Sequence, residues 1–203
     1  MNTFILFLLI AGLVVLLYFL VIRPWQLTWG ATKDEIGQSL IGDDIVKKPH
    51  FVATRAVTIK APPAEVWKWI IQIGSARAGW YSIDLLDNAN VTSSREILPE
   101  YQKIEIDYFV PFTPDQKNGL WVKDFKEPEY ILWWDKKGNG TWGWYLHQNE
   151  AGETRLITRL RTKYDFRFPW IIYYIFYDFG DIVMMSKCML GIKDRAENNF
   201  GRT

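Results

Sequence analysis

The sequence predicts an α+β domain in which an antiparallel sheet precedes one long C-terminal helix, behind a single N-terminal transmembrane helix. Three patterns carry this prediction. A charge-free apolar run extends from Phe4 to Ile22, a two-residue period persists from Glu105 to Tyr164, and apolar residues recur every three or four positions after Pro169. These periods are those of strands and helices, and strands joined by short turns pair antiparallel.

The apolar run Phe4–Ile22 has the length of a membrane anchor. A helix of this length spans about the 30 Å hydrocarbon core of a bilayer, and Arg23-Pro24-Trp25 ends it. A cleaved signal peptide needs a basic residue before its apolar core, whereas Met1-Asn2-Thr3 has none. A buried core helix is rarely apolar around its whole circumference for five turns at an extreme terminus. The run therefore predicts a single-pass protein whose partner is the lipid bilayer.

The anchor divides the chain into three predicted parts. Residues 1–25 form the transmembrane anchor, residues 26–50 a juxtamembrane linker, and residues 51–200 one domain. The basic residues near the run, Arg23 and Lys33, lie on its C-terminal side, which by the positive-inside rule favours a cytoplasmic domain.

The composition excludes some classes of function. The chain has 24 basic and 23 acidic residues, so it lacks the positive charge that a nucleic-acid partner requires. Its one cysteine, Cys188, allows neither an internal disulfide nor a thiolate metal site. Neither His50 nor His147 has a further ligand at metal-binding spacing, and no motif for a phosphate or dinucleotide is present. We therefore expect no metal and no cofactor.

The domain opens with a strand and two short helices. The β-rich stretch Phe51–Ile59 ends at two prolines, which cannot continue a sheet ladder. Pro63 then suits the first turn of an amphipathic helix that ends at Gly74. A second helical stretch is predicted over Trp80–Ala89.

Five further strands follow, separated by turn residues such as Lys137-Gly138-Asn139-Gly140. In the last of them Leu156, Thr158 and Leu160 share one face, while the arginines alternate with them on the other, so one face is expected to meet an interior and one to meet water. The predicted spans are Glu105–Pro111, Gly119–Phe125, Glu129–Asp135, Gly140–Gln148 and Thr154–Tyr164.

A long helix is predicted after Pro169. Its first residues are apolar enough to suggest a second membrane span, but Asp178 and Asp181 cut the apolar run well below the required length of about 18 residues. This helix is the element left to cover the concave face of the sheet, and the gap between a bent sheet and a straight helix can become a cavity.

Several motifs resemble the START and Bet v 1-like superfamily, also called SRPBCC or polyketide cyclase-like lipid-transport proteins. They are Ala61-Pro62-Pro63-Ala64-Glu65-Val66-Trp67, then Arg77-Ala78-Gly79-Trp80-Tyr81-Ser82, and Leu190-Gly191-Ile192-Lys193. The likeness extends over about residues 29–197. Within the superfamily, the chain resembles the membrane-anchored bacterial members. It implies a helix-grip fold, a seven-stranded sheet around the C-terminal helix, at a bacterial inner membrane. A seventh strand would then lie near Thr92–Ile97.

Aromatic residues are the predicted ligand-binding side chains. The chain has 11 tryptophans, and indole rings suit the wall of a ligand cavity as well as a core. Whichever alternate set faces inward would line an apolar pocket, together with two residues of the last helix. The predicted ligand-binding residues are Trp80, Tyr81, Trp121, Trp133, Trp142, Trp144, Phe179 and Val183.

Catalytic residues are less well indicated. Asp84 and Asp87 lie one helical turn apart, Tyr81 offers a hydroxyl, and Arg77 offers a fork of donors for an anionic head group. Each also has a structural explanation, such as an exposed carboxylate or an ion pair between Arg77 and Asp84. The weak catalytic candidates are Asp84, Tyr81 and Arg77.

Three functions remain open from the sequence. The first is binding or transport of a hydrophobic small molecule, a lipid or isoprenoid-like compound, beside the bilayer. The second is an enzyme, a cyclase or dehydratase acting on an apolar ketide. The third is a protein-interaction scaffold whose interior is filled by its own side chains. The lack of a recognisable catalytic constellation favours a protein that is not an enzyme.

Overall fold

A computed structural model of the chain describes residues 3–201, apart from the side chains of Tyr173, Ile175 and Phe176. The chain begins with a continuous helix, Thr3–Leu27, which comprises α1 (Thr3–Leu17), a π-helical turn (Tyr18–Ile22) and α2 (Arg23–Leu27). It is the one helix of the described residues that is long and apolar enough to cross a membrane. Its side chains are exposed along almost the whole of α1, so it is not a core helix.

The remaining elements of the described residues are four helices, one 3₁₀ turn and six strands. The helices are α3 (Lys33–Gly37), α4 (Pro63–Ile71), α5 (Asp84–Asp87) and α6 (Trp170–Phe200), and Pro99–Tyr101 forms a 3₁₀ turn. The strands are β1 (Phe51–Ile59), β2 (Phe109–Pro111), β3 (Gly119–Lys126), β4 (Tyr130–Trp134), β5 (Gly140–Gln148) and β6 (Thr154–Thr162).

The strands form one antiparallel sheet in the order β1-β6-β5-β4-β3-β2. The last strand therefore pairs with the first, with Leu160 opposite both Ala53 and Trp142. Because directly paired residues point to the same side of a sheet, this register decides which aromatic residues face inward. A bulge between Val122 and Asp124 interrupts the β3–β4 pairing.

The inner face of the sheet packs against α4 and α6. Phe51, Ala53 and Ile59 of β1 share one core cluster with Trp67 and Trp69 of α4 and with the buried side of α6. The α6 residues in this cluster are Met185, Cys188, Met189, Ile192 and Ala196. A sheet that packs its concave side onto a long C-terminal helix is the helix-grip arrangement, so the α+β prediction is confirmed.

The outer face of the sheet is covered by the segment between the N-terminal helix and β1, residues 28–46, which we call the strap. Its Ala31 and Leu40 pack on Ala56, Tyr145 and Ile157 of the outer face. Arg159 of β6 fixes it, because its guanidinium donates to the carbonyls of Glu35, Ile36 and Gln38 and pairs with Asp43 at 2.6 Å. The expectation that this face meets water is therefore wrong.

Several predicted boundaries also change. The strand predicted over Glu105–Pro111 is only Phe109–Pro111, and the helix predicted over Trp80–Ala89 is only Asp84–Asp87. Residues 92–97 form no strand, so the sheet of the described residues has six strands rather than seven. Positive φ angles at Tyr81 and Ala89 explain the shorter helix, since a helix needs negative φ at every residue.

Candidate functional site

The centre of the inner face is a cluster of indole rings. Trp133 of β4 lies directly opposite Trp142 of β5, and Trp144 lies two residues further along β5. Their ring centroids are 5.2 Å apart for Trp133 and Trp142, 5.1 Å for Trp142 and Trp144, and 6.1 Å for Trp133 and Trp144. All three predicted residues are buried, and the pleat brings them together on one face.

Trp80 closes this cluster from a loop. Its ring stacks on Trp142 at 5.6 Å with an interplanar angle of 7°, and Phe112 packs edge-on against Trp80 at 5.5 Å. The loop is held by paired backbone hydrogen bonds between Gly74 and Gly79. Gly79 has φ +81°, and a Cβ there would overlap Ser93, so glycine is required at this turn. The loop geometry thus holds the Trp80 ring against Trp142 of the inner cluster.

The inner cluster contains buried hydrogen-bond donors without an acceptor. Trp142 donates its Nε1–H to Thr158 Oγ1 at 2.8 Å, and Thr158 donates in turn to the carbonyl of Gly143. The Nε1–H groups of Trp133 and Trp144 have no partner among the described residues, although both side chains are fully buried. An unsatisfied buried donor costs about 1–3 kcal/mol. These two donors lie among apolar side chains, and Trp144 is directly opposite Thr158, which is in turn opposite the buried Arg55.

A buried ion pair lies beside the aromatic cluster. Arg55 of β1 is opposite Thr158, so it also points to the inner face, and it is only 1% exposed. Its Nη1 is 2.6 Å from Asp181 Oδ2 of α6, and its Nε donates to the carbonyl of Gln26 at 2.7 Å. Burial raises the pKa of Asp181, and the charge of Arg55 opposes that rise. The pair joins the sheet, α6 and the end of the N-terminal helix.

Two cavities formed by the described residues lie outside this interior. A polar cleft of about 360 Å³ lies between the loop after α4 and the C-terminal half of α6, where Asp84, Lys187 and Arg195 contribute to its wall. An apolar groove of about 350 Å³ lies between Tyr18 of the N-terminal helix and Phe179 of α6. In the interior between sheet and helix, where the sequence suggests a cavity, the rings of Trp80, Trp133, Trp142 and Trp144 pack against one another.

The three weak catalytic candidates do not form one site, although Tyr81 and Asp84 both line the polar cleft. The hydroxyl of Tyr81 accepts from Gln72 at 2.8 Å and donates to the carbonyl of Trp69 at 3.2 Å, and burial raises its pKa. Asp84 accepts from both the backbone N–H and the hydroxyl of Ser93. Their functional groups are engaged in the local fold.

Arg77 is a helix cap. Its guanidinium donates to the carbonyls of Ile71 and Ile73 at the end of α4 and lies between the rings of Tyr101 and Tyr108, 4.7 and 4.9 Å from their centroids. Burial lowers its pKa. The alternative of an ion pair with Asp84 is not formed in the described structure.

Three predicted ligand-binding residues lie elsewhere. Trp121 pairs with Trp134 and Phe109, which places it on the outer face of the sheet. Phe179 and Val183 are exposed on α6, and Phe179 stacks on Tyr18 of the N-terminal helix at 4.1 Å. Alternation alone cannot choose between the two faces of β3, because aromatic residues occur on both.

Sequence reasoning placed Trp67 on the apolar face of α4 but missed three residues of the interior, Trp69, Arg55 and Asp181. Trp67 and Trp69 of α4 are buried, and their Nε1–H groups have no partner in the described part of the chain. Arg55 shares its side of β1 with Phe51 and Ala53, and Asp181 interrupts an apolar helix. The sequence did contain a signal for this pair. It was a charged residue at an inward strand position together with an opposite charge on the helix that covers the sheet.

Two other ionisable groups have raised pKa values. Burial raises the pKa of the Cys188 thiol inside α6, which disfavours the nucleophilic thiolate. Burial raises the pKa of Asp87 to about 6, with a smaller contribution from the charge of Asp84. No group of three His, Cys, Asp or Glu in residues 3–201 is arranged to hold a metal ion.

Comparisons with known proteins give likeness in overall shape only. No protein-family model matches the chain, and no curated protein matches it. A conserved protein of unknown function from Enterococcus faecalis is 13% identical, with 77% of this chain and 86% of that one covered and a TM-score of 0.44. A polyketide-cyclase-like protein from Corynebacterium glutamicum is 14% identical over 70% of this chain and 88% of that one, with a TM-score of 0.36. A protein from Mycobacterium smegmatis is 16% identical over 74% and 90%, with a TM-score of 0.38.

Proposed function

We propose that this protein is a membrane-tethered binder of a hydrophobic small molecule, a lipid or isoprenoid-like compound that carries a hydrogen-bond acceptor. The observation that supports it is the pair of unpartnered indole donors, Trp133 and Trp144, at the centre of an apolar aromatic interior. A carbonyl or ether oxygen on an apolar ligand satisfies such donors without bringing charge into the interior.

Ligand uptake requires Trp80 to move. This side chain is 7% exposed and stacks on Trp142, which is 8% exposed, whereas Trp133 and Trp144 are fully covered. The volume that becomes free is that of an indole ring. Movement of one loop side chain is a smaller change than separation of α6 from the sheet, which would break the Arg55–Asp181 pair.

The tether supplies local concentration. In the proposal, the helix Thr3–Leu27 crosses the bilayer and holds the domain on its cytoplasmic side, where apolar ligands partition. Catalysis is not part of the proposal, because Tyr81, Arg77 and Asp84 are each engaged in structural hydrogen bonds.

The first experiment identifies what the protein holds. The full-length chain is purified in detergent, and bound compounds are identified by native mass spectrometry and organic extraction, followed by titration with fluorescent fatty acyl and isoprenoid probes. We expect saturable uptake of at least one probe. A chain that carries no compound and takes up no probe contradicts the proposal.

The second experiment tests the donors. Trp133→Phe and Trp144→Phe keep an aromatic ring and remove the N–H, so each is expected to weaken probe binding by about fivefold, the equivalent of one net hydrogen bond of about 1 kcal/mol. Trp134→Phe is the matched control, because the Trp134 Nε1–H is also unpartnered but lies on the outer face. Equal effects of all three substitutions would show that the inner donors do not contact the ligand.

A second candidate is a protein-interaction module with a permanently closed interior. The close stacking of Trp80, Trp142 and Phe112 favours it, since these rings already fill the centre. The substitution Trp80→Ala separates the candidates. It should speed probe uptake at least several-fold if the interior binds ligand, and it should only destabilise the fold if the interior is a core.

A further inference from the structure

The segment that leads from β6 into α6 exposes four large apolar side chains. Phe166, Phe168, Trp170 and Ile172 are 59%, 80%, 54% and 45% exposed, and they follow one another at alternate positions from the end of β6 into α6. We call these four residues the aromatic edge. Single exposed apolar residues need no explanation, but a contiguous group marks a surface that contacts something apolar.

The aromatic edge lies at the end of the domain that meets the N-terminal helix. Arg23, the first charged residue after the apolar run, pairs with Asp178 of α6 at 2.9 Å. Gln26 donates to the carbonyl of Asp178 at 2.7 Å. Tyr174 stacks on Tyr164 at 4.3 Å, which connects this part of α6 to the segment after β6. Any bilayer that holds the N-terminal helix therefore lies beside the aromatic edge.

Lysines surround the same end of the domain. The backbone N–H of Lys163 donates to the carbonyl of Asn139 at 2.7 Å, which brings the β4–β5 turn beside the end of β6. His50 accepts from the backbone N–H of Tyr164 at 2.9 Å, which brings the residues before β1 to the same place. We call the exposed lysines there the basic rim: Lys47, Lys48, Lys136, Lys137 and Lys163.

Most of the basic rim is free of acidic partners. Lys136 pairs with Asp107 at 2.7 Å, whereas the other four lysines form no ion pair in residues 3–201. The neighbouring acids are occupied, since Asp43 pairs with Arg159 and Arg161, and Asp165 pairs with Arg167. Asp135 directly precedes Lys136 and accepts from the backbone N–H groups of Lys137 and Asn139, and Asp44 is exposed close to Lys47. The end of the domain next to the N-terminal helix is thus more positive than the balanced whole chain.

We propose that this end of the domain docks flat onto an anionic phospholipid bilayer, with the aromatic edge in the headgroup region and the basic rim on lipid phosphates. The combination of exposed aromatic side chains with flanking lysines is that of interfacial membrane contact. Docking would place the start of α6 and the segment after β6 against the lipid from which an apolar ligand comes. The inference rests on the tether of the proposed function, and not on ligand binding in the interior.

The test uses the full-length chain in lipid vesicles with one reporter at a time. In a Cys188→Ala background, an environment-sensitive fluorophore is attached at Phe168→Cys, at Val14→Cys, or at Ala151→Cys on the β5–β6 turn at the opposite end of the sheet. Vesicles contain neutral lipid alone or neutral lipid with anionic lipid, and quenching by doxyl-labelled lipid is measured. We expect quenching at positions 14 and 168 and none at 151, with the signal at 168 increased at least twofold by anionic lipid.

The outcomes separate the two proposals. Quenching at position 14 without quenching at 168 overturns docking and leaves the tether intact. Absence of quenching at both positions overturns the tether and the docking together, whatever the interior binds.

The contribution of the lysines is tested by charge-matched variants. Lys137→Gln with Lys163→Gln removes two charges of the basic rim, and Lys60→Gln with Lys126→Gln removes two exposed charges away from it. We expect the first double variant to need at least twice as much anionic lipid for half-maximal quenching at 168. If both double variants behave like the unmodified protein, the basic rim does not bind headgroups and that part of the proposal is overturned.

Discussion

At the scale of single residues, the interior combines apolar packing with a few expensive polar groups. Arg55 and Asp181 are both buried, and each neutralises a charge that would otherwise stand alone in a medium of low dielectric. Arg55 lies on β1 and Asp181 lies on α6, so the pair specifies how α6 lies on the sheet. The free energy of unfolding that is lost when one charge is left without the other therefore measures how strongly the pair holds α6 on the sheet.

We predict that Asp181→Asn lowers the free energy of unfolding by about 3 kcal/mol, because it leaves the guanidinium of Arg55 buried without a counter-charge. The double variant Arg55→Met with Asp181→Leu should lose less, since it removes both charges. Urea unfolding of the detergent-solubilised chain, followed by tryptophan fluorescence, measures both. A double variant as unstable as the single one would show that packing, and not charge, explains the loss.

The raised pKa of Asp87 predicts that the free energy of unfolding depends on pH. Its pKa in the folded protein is about 6, above the value of about 4 for an unfolded aspartate, so the native state holds the proton more tightly. Stability from this group is fully present below about pH 4 and is lost as the pH rises through about 6. Asp87→Asn should therefore be more stable than the unmodified protein at pH 7 and equal to it near pH 4.

Thermal unfolding across this pH range measures the difference, with Glu150→Gln on the exposed β5–β6 turn as the control. A constant difference between Asp87→Asn and the unmodified protein at every pH would contradict the assignment.

At the scale of elements, the strap covers the outer face of the sheet, so both faces of the sheet are packed against other parts of the chain. Antiparallel sheets commonly leave one face in water, but here residues 28–46 cover the outer face and bury Arg159. Arg159 holds four separate acceptors of the strap, which a lysine cannot do because its charge lies on a single nitrogen. The segment that connects the anchor to the domain is thus part of the domain's packing.

We predict that Arg159→Lys destabilises the protein by about 2 kcal/mol and increases hydrogen exchange of the backbone amides in residues 35–45. Arg167→Lys is the matched control, because Arg167 is exposed and its side chain pairs with the neighbouring Asp165. Exchange in the strap that is unchanged by Arg159→Lys would mean that apolar contacts alone hold it.

At the scale of the whole molecule, the N-terminal helix is joined to the domain by few contacts, which lie at its end. Tyr18, Arg23 and Gln26 reach Asp178 and Phe179 of α6, while most of α1 projects away with exposed side chains. The domain has a core of its own that does not include α1. The apolar helix is therefore a tether that lies outside the core of the domain.

We predict that a chain of residues 24–203 folds without detergent, whereas a chain of residues 51–203 unfolds at a temperature at least several degrees lower. The second lacks the strap, which exposes Ala56, Tyr145 and Ile157. Circular dichroism and sedimentation of both chains check this. A longer chain that needs detergent to fold would contradict the tether.

The sequence by itself determined the fold class, the order of the elements and the apolar helix, because strand and helix periods and a charge-free run are local properties. It also indicated that Trp133, Trp142 and Trp144 act together, since alternate residues of paired strands share a face.

Only the tertiary structure decided which face of β3 is inner, that Trp80 closes the interior, that the strap covers the outer face and that Arg55 meets Asp181. Each of these depends on register or on contacts between residues far apart in the chain. A one-residue change in register would exchange the faces of every strand, and no local pattern encodes that choice.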